Sequence, residues 1–216
     1  MFLETLQKNA FENLDITGYT ADIKGWKYDS FDSIFEHIIE KCSNDPTIIE
    51  VGSWKGLSAT TMAKIAKSKN KTPKIICVDT WIGSREFWLK DATEDMNLSL
   101  VNGYPSIFYI FTKNVKASGH SDVIYPLPAC STVASEILRH YDIQADIIYI
   151  DASHDYNSVY QDLKYFWNTL KNGGYMFGDD FSPGAWPGVV KAVEQFSLEM
   201  NVRLNVLGGV WFFNKA

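Results

Sequence analysis

From residue 47 onward, two hydrophobic patterns alternate along the chain. Short, continuous apolar runs rich in Ile, Val and Tyr occupy residues 47–52, 74–80, 123–128, 145–152 and 174–181. Between most of them lie segments with helical spacing, at 57–67, 104–117, 131–141 and 156–170. Runs that are apolar at every position, rather than at every second one, suit strands of a parallel sheet covered by helices on both faces. Strand–helix alternation then predicts a doubly wound α/β sheet with right-handed crossovers. The C-terminal end departs from this pattern. A helix is predicted over 186–200, with Pro187 in its first turn, and two short strands follow at 202–207 and 210–214, split by Gly208-Gly209. A Gly-Gly pair between two strands predicts a tight hairpin, which makes the last strand antiparallel to its neighbour. Upstream, Phe31, Ile34, Phe35, Ile38 and Ile39 form the apolar stripe of an amphipathic helix that ends before Asp45-Pro46. Residues 81–103 show little periodicity, two Trp and mixed charge, including Arg85, Glu86, Lys90, Asp91, Glu94 and Asp95. This segment and residues 1–46 read as cap or lid material. The division is a helical cap at 1–46 and an α/β domain at 47–216.

Composition narrows the function classes. The chain has 216 residues, 20 Lys+Arg against 26 Asp+Glu, and a formal net charge of −6. That length suffices to bury roughly 70% of the unfolded surface. The acidic balance gives no electrostatic reason to expect nucleic acid or an anionic membrane as a partner. No run approaches the length of a membrane span, and with acids early in the first 15 residues no signal peptide is expected. Cys42, Cys77 and Cys130 are too few and too scattered for a disulfide framework or a paired-cysteine zinc site. Cys77 and Cys130 adjoin apolar runs and are expected to be small buried residues. These features describe a soluble cytoplasmic protein.

Four blocks carry candidate chemistry. The first, Ile49 to Gly56 (IEVGSWKG), follows the first strand and opens a helix. Gly52 and Gly56 let backbone pass close to a ligand, and the helix start offers unpaired N–H groups. The spacing is neither a dinucleotide fingerprint nor a P-loop. Glu50, just before the turn, favours a cationic ligand over a phosphate. The second block is Asp79-Thr80-Trp81 at the end of strand two, where a carboxylate is placed to accept ribose hydroxyls. Trp81 has two open readings, an adenine stack or a core residue. The third and fourth blocks, IDASHDY around Asp151 and NGGYMFGDDF around Asp179-Asp180, end the fourth and fifth strands. Carboxylates converging there repel one another unless a proton or cation lies among them. Oxygen ligands of this kind suit a hard divalent ion such as Mg²⁺. His154, three residues past Asp151, is a candidate general base. Asp155 also reads as a helix N-cap and Asp180 as a loop acid. The absence of a GxSxG elbow removes a Ser-His-Asp reading.

Taken in order, EVGSWKGLSA, VDTW, IDASHDY and NGGYMFGDDF resemble the class I S-adenosylmethionine-dependent methyltransferases. Within them the chain is similar to the macrocin O-methyltransferase-like family, over roughly residues 45–200. The resemblance implies a Rossmann-like, mostly parallel seven-stranded sheet of order 3-2-1-4-5-7-6. It implies S-adenosylmethionine as cofactor, with Glu50, Gly52, Ser53 and Gly56 beside its methionine part, Asp79, Thr80 and Trp81 beside its nucleoside, and Ser131 toward the adenine. Asp151 also falls in the cofactor set. The implied metal ligands are Asp151, Asp179 and Asp180, with Mg²⁺ or a similar ion, and His154 as the base. The implied substrate is a small hydroxylated molecule, a sugar or other diol, and a homo-oligomer is expected. Two other readings stand beside this one: a non-catalytic or metal-independent protein of the same fold, and a nicotinamide-dependent oxidoreductase. Glu50 and the terminal hairpin argue against the oxidoreductase.

Overall fold

The computed structural model describes residues 2–23, 25–89 and 98–216, with the side chains of Glu86 and Leu89 excepted. Of the segment 81–103, Lys90, Asp91, Glu94 and Asp95 therefore lie outside the described residues. The helices are α1 (Phe2–Lys8), continued by a π-helical turn (Asn9–Asn13), α2 (Ser30–Glu40), α3 (Leu57–Ser68), α4 (Arg85–Leu89), α5 (Ile107–Ser118), α6 (Ser131–His140), α7 (Tyr156–Trp167) and α8 (Pro187–Met200). The strands are β1 (Thr47–Val51), β2 (Lys74–Asp79), β3 (Leu100–Val101), β4 (Tyr104–Pro105), β5 (Ile124–Pro128), β6 (Ala145–Ile150), β7 (Leu170–Gly178), β8 (Asn205–Leu207) and β9 (Val210–Asn214).

Seven strands form one sheet in the order β5-β2-β1-β6-β7-β9-β8, while β3 and β4 pair apart as a small antiparallel ribbon. Counting only the strands of the large sheet, this is the expected order 3-2-1-4-5-7-6. Neighbours are parallel from β5 through β7, and β9 runs antiparallel to both β7 and β8. Gly208 (φ +56°) and Gly209 (φ +91°) are both left-handed, as the tight hairpin between β8 and β9 requires.

The continuous apolar runs are explained by burial on both faces. Ile48, Ile75, Ile147 and Tyr149 face the layer that contains α2, α3 and α5. Ile49, Val51, Ile76, Ile148 and Met176 face α6, α7 and α8. The α2 stripe behaves as its spacing predicts: Phe31, Phe35, Ile38 and Ile39 are fully buried and belong to the sheet's own core. At the β5 edge, Phe2 of α1 stacks on Tyr141 at 4.3 Å, and Gln7 Nε2 donates to the Ser121 carbonyl at 2.8 Å. Among the described residues, no helix is long and apolar enough to cross a membrane.

Three local expectations change. The helix predicted from 104 begins at Ile107, because Tyr104 precedes Pro105 and is pushed into extended backbone, which forms the ribbon. The strand predicted from 174 begins at Leu170, which pairs with Ala145 across a register irregularity. Cys130 is exposed, not buried, because β5 ends at Pro128 and the residue sits at the N-cap of α6.

Candidate active site

Strand register assembles the site. Cys77, Glu50, Tyr149 and Phe177 pair side by side across β2, β1, β6 and β7, and all four are fully buried. Two residues further along each strand, the period of two brings Asp79, Gly52, Asp151 and Asp179 into the next row on the same face. The strands end there, so the acids line the carboxyl edge of the sheet, where open α/β folds bind ligands.

The turn after β1 is shaped from beneath. Gly52 has φ +90°, and a Cβ on it would lie 1.9 Å from the Asp151 carbonyl oxygen. Only glycine lets the tips of β1 and β6 approach this closely. Asp79 does not stand free at its strand tip. Its carboxylate accepts the N–H groups of Ser53 (3.0 Å), Trp54 (2.8 Å) and Trp81 (2.7 Å), so it organises the turn, while burial pushes its pKa up against those three donors. Glu50 lies sealed under the turn. Its Oε2 accepts the Ser53 hydroxyl at 2.5 Å, its Oε1 has no partner, and burial pushes the carboxyl up to about 7. The Trp81 ring is buried against Phe108 and Phe111, and its Nε1 donates to the Trp54 carbonyl. Of the two readings of Trp81 the structure shows the core one, with no ring face free for an adenine. Thr80 is exposed at the strand tip. Ser131 opens α6, and its side chain hydrogen-bonds Asp162, a buried carboxyl of α7 that burial raises to about 6.

The acid cluster lies one strand over. Asp151, His154 and Asp180 each offer a ligand atom within 4.8 Å of the others. His154 Nε2 is 3.0 Å from Asp180 Oδ2, and the imidazole stacks on Trp186 at 3.9 Å between ring centroids. Asp151 accepts the Tyr149 phenol at 3.0 Å. Burial, then the charges of Asp179 and Asp180, hold its pKa well above the carboxylate range. Asp179 is buried and is raised to about 7, by burial first and by Asp180 as well; the Tyr149 phenol and the Tyr28 N–H oppose that rise. The grouping differs from the expected one. Asp180 leaves the strand with φ +65°, and its carboxylate meets His154. Asp179 keeps the alternation of β7 and stays in the buried row behind them. Asp155 caps α7 by accepting the Ser158 N–H at 3.1 Å.

These residues fit a divalent cation. Asp179 Oδ1 and His154 Nδ1 are buried without partners, and three mutually repelling carboxylates with an imidazole are a donor set that a 2+ charge relieves. The unpartnered Glu50 oxygen beneath a glycine turn likewise fits a ligand with a cationic group near that turn. Two participants escaped the sequence reading. Tyr149 had a signal, being two residues before Asp151 on the same strand face. Tyr28 had none, because it lies in an aperiodic stretch far away in sequence.

A family described as a methyltransferase domain matches residues 49–181, more than half of the chain. The R132 protein of Acanthamoeba polyphaga mimivirus is 28% identical over 166 residues, which are 74% of this chain and 65% of that protein. The chain thus spans under two-thirds of that relative's length. Among solved structures, the O-methyltransferase NovP superimposes with a TM-score of 0.62 at 14% identity, covering 100% of this chain and 98% of NovP. The calicheamicin methyltransferase CalS11 gives 0.60 at 17% identity, covering 86% and 77%. MycE, from mycinamycin biosynthesis, gives 0.57 at 14% identity, covering 89% and 51%. At such identities the likeness is one of fold, and that fold is the doubly wound sheet with the terminal hairpin. The family match runs from the strand before the glycine turn through the acid pair after β7, and with it the chain belongs to the methyltransferase-domain family, built on the class I methyltransferase fold.

Proposed function

We propose that this protein is an S-adenosylmethionine-dependent, metal-assisted O-methyltransferase acting on a small molecule with neighbouring oxygens, a sugar or another diol. The observation that carries this reading is the convergence of Asp151, His154 and Asp180 within 4.8 Å, with Asp179 lining the same recess. Two of the similar structures point the same way by what they contain or do. CalS11 is a TDP-rhamnose 3'-O-methyltransferase, and MycE was solved with Mg, SAH and mycinamycin VI.

Glu50, Gly52, Ser53 and Gly56 would border the methionine part of the cofactor, Asp79 and Thr80 its ribose side, and Ser131 its adenine end. Asp79 acts chiefly by holding the turn, since its oxygens already accept three N–H groups. Asp151, Asp179 and Asp180 would hold the cation. When bound, the cation supplies positive charge that favours the ionised acceptor oxygen, and the cofactor supplies an electrophilic methyl group. His154 takes the acceptor hydroxyl's proton on the ring nitrogen that does not donate to Asp180, and Asp180 steadies the imidazolium that forms. Trp186, stacked on the imidazole, keeps the ring plane fixed. Catalysis then rests on alignment of the acceptor oxygen with the methyl group.

The 3.0 Å His154–Asp180 contact favours one second reading, a His–Asp pair that removes the proton without metal. Calorimetric titration with S-adenosylhomocysteine, then Mg²⁺, in the presence and absence of EDTA, separates the two. Micromolar cofactor binding with a Mg²⁺ signal that disappears in Asp179→Asn supports the metal-assisted enzyme. Cofactor binding without a Mg²⁺ signal supports the dyad. Absence of cofactor binding overturns both.

A further inference from the structure

Residues 14–29 form an irregular strap between the π-helical turn and α2, and among its described residues Ile16 alone is buried. A segment with so little apolar burial belongs to the low-stability end of a structure unless polar ties fix it. Those ties gather at Asp22. Its N–H donates to Asn114 Oδ1 at 2.7 Å, and its carbonyl accepts from Asn114 Nδ2 at 3.0 Å. Its carboxylate meets the Lys55 ammonium at 2.6 Å. On either side, the Tyr19 ring stacks on Tyr109 of α5 at 4.8 Å, and a Cβ on Gly25 would lie 3.1 Å from the side chain of Leu57, the first residue of α3.

The far end of these ties is the glycine turn. Lys55 lies inside it, and Asn114, itself buried, also donates from Nδ2 to the Lys55 carbonyl at 2.8 Å. The turn is left-handed at Gly52 (φ +90°), Trp54 (φ +44°) and Gly56 (φ +87°). For a side chain as large as Trp54 that conformation is costly, and it persists only where the surroundings hold it. Asp79 holds the turn through the Ser53 and Trp54 N–H groups. Asp22 and Asn114 hold it through Lys55, so strap and turn form one hydrogen-bonded unit although Asp22 and Lys55 stand 33 residues apart. The ion pair is lopsided: the Lys55 side chain is 4% exposed and that of Asp22 36%.

We infer that Asp22 is a positioning residue for the cofactor: through Lys55 it holds the glycine turn in its binding shape, and a cofactor seated on the turn fastens the strap in return. This rests on the cofactor placement proposed above and adds to it a role for the N-terminal cap. The coupling is reciprocal, so the factor by which the fastened strap strengthens cofactor binding is the factor by which bound cofactor strengthens the strap. The lopsided burial sets the order of the variants. Asp22→Asn leaves a buried ammonium without its counter-charge, whereas Lys55→Met leaves a carboxylate that water reaches. The first is therefore the more damaging, and adding Lys55→Met to it restores part of the loss.

The test combines calorimetric titration with S-adenosylhomocysteine and backbone hydrogen exchange, on wild type, Asp22→Asn, Lys55→Met and the double variant. Binding is expected to be about tenfold weaker in Asp22→Asn, with a smaller loss in Lys55→Met and a double variant close to Lys55→Met alone. In wild type, saturating ligand should slow exchange of the Asp22 amide by about the same tenfold factor, together with the amides of the glycine turn. In Asp22→Asn the ligand should protect the turn and leave the strap unchanged. Equal affinity in wild type and Asp22→Asn overturns the inference, and so does wild-type protection that stops at the turn. A merely structural Asp22 would lower the melting temperature and produce neither effect. The wild-type exchange needs no variant, so it decides the matter even if Asp22→Asn fails to fold. A wild type that binds no S-adenosylhomocysteine, or binds it without protecting the turn, overturns the cofactor placement itself and the inference with it.

Discussion

Asp79 and Gly52 show how a residue's type and its job can separate. A carboxylate at the tip of β2 is the residue a nucleoside-binding sheet needs, and the sequence exposes it as such. In the structure its oxygens are engaged by the N–H groups of Ser53, Trp54 and Trp81, because the glycine turn folds back over it. That folding back is a tertiary event with no local signature. Asp79→Asn replaces one acceptor oxygen with an amide that cannot serve these donors, so the turn is expected to loosen at a cost of about 2 kcal/mol. Chemical denaturation measures that loss, and a parallel fall in S-adenosylhomocysteine affinity is expected from the displaced turn. Gly52 is read correctly as a place where something passes close, but the visitor includes the chain itself. With φ +90° and a Cβ position 1.9 Å from the Asp151 carbonyl, Gly52→Ala is expected to cost about 3 kcal/mol or more. It should also move Asp151, so that thermal unfolding and the Mg²⁺ titration change together. Trp81 makes the complementary point. An aromatic residue beside a ligand-binding acid gives equal reason for stacking and for packing, and only the neighbours Phe108 and Phe111 decide.

At the scale of elements, the large strands and helices were legible because burial on two faces leaves a strong pattern. The hairpin was legible because Gly-Gly has few other uses between strands. The β3–β4 ribbon was not, since two-residue strands carry no periodicity. Nor was the strap, which is held by Asp22, Lys55 and Asn114 across distances in sequence that no pattern spans. The tie between α6 and α7 belongs to the same hidden class. Asp162 of α7 is buried, bonds Ser131 at the start of α6, and is raised to about 6 from the ordinary 3.8. Between those values the folded protein keeps a proton that the unfolded chain has lost, so this group's contribution is complete below about 4 and is lost as pH rises through 6. The span corresponds to about 3 kcal/mol. Asp162→Asn is neutral at every pH and should remove that dependence. Its melting temperature is expected to rise relative to wild type between pH 4 and pH 7, and parallel pH curves for the two proteins would contradict the assignment.

For the whole molecule, the acids at the sheet's carboxyl edge link folding, pH and cation binding. Glu50 and Asp179 are each raised to about 7, and Asp151 is held well above the ordinary carboxylate range. Each is a carboxyl whose folded pKa exceeds its unfolded one, so each stabilises fully below about 4 and loses that contribution as pH rises through the folded value. Without a cation, the protein is therefore expected to unfold at progressively lower temperature between pH 5 and pH 8. A cation among Asp151, Asp179 and Asp180 competes with those same protons, so its affinity must rise over the window in which the apo protein weakens. Because a ligand that binds only the folded state raises its stability, the increase in melting temperature on adding Mg²⁺ should be larger at pH 8 than at pH 6. Excess EDTA should reverse it. Asp179→Asn removes one of the three charges and one of the titrating groups together. It should flatten the apo pH slope and shrink the Mg²⁺ increment at pH 8, two changes that a purely structural Asp179 would not produce in combination. An Mg²⁺ increment that is the same at both pH values would mean that the protons and the cation do not share a site, and would leave the His154–Asp180 pair to do the chemistry alone.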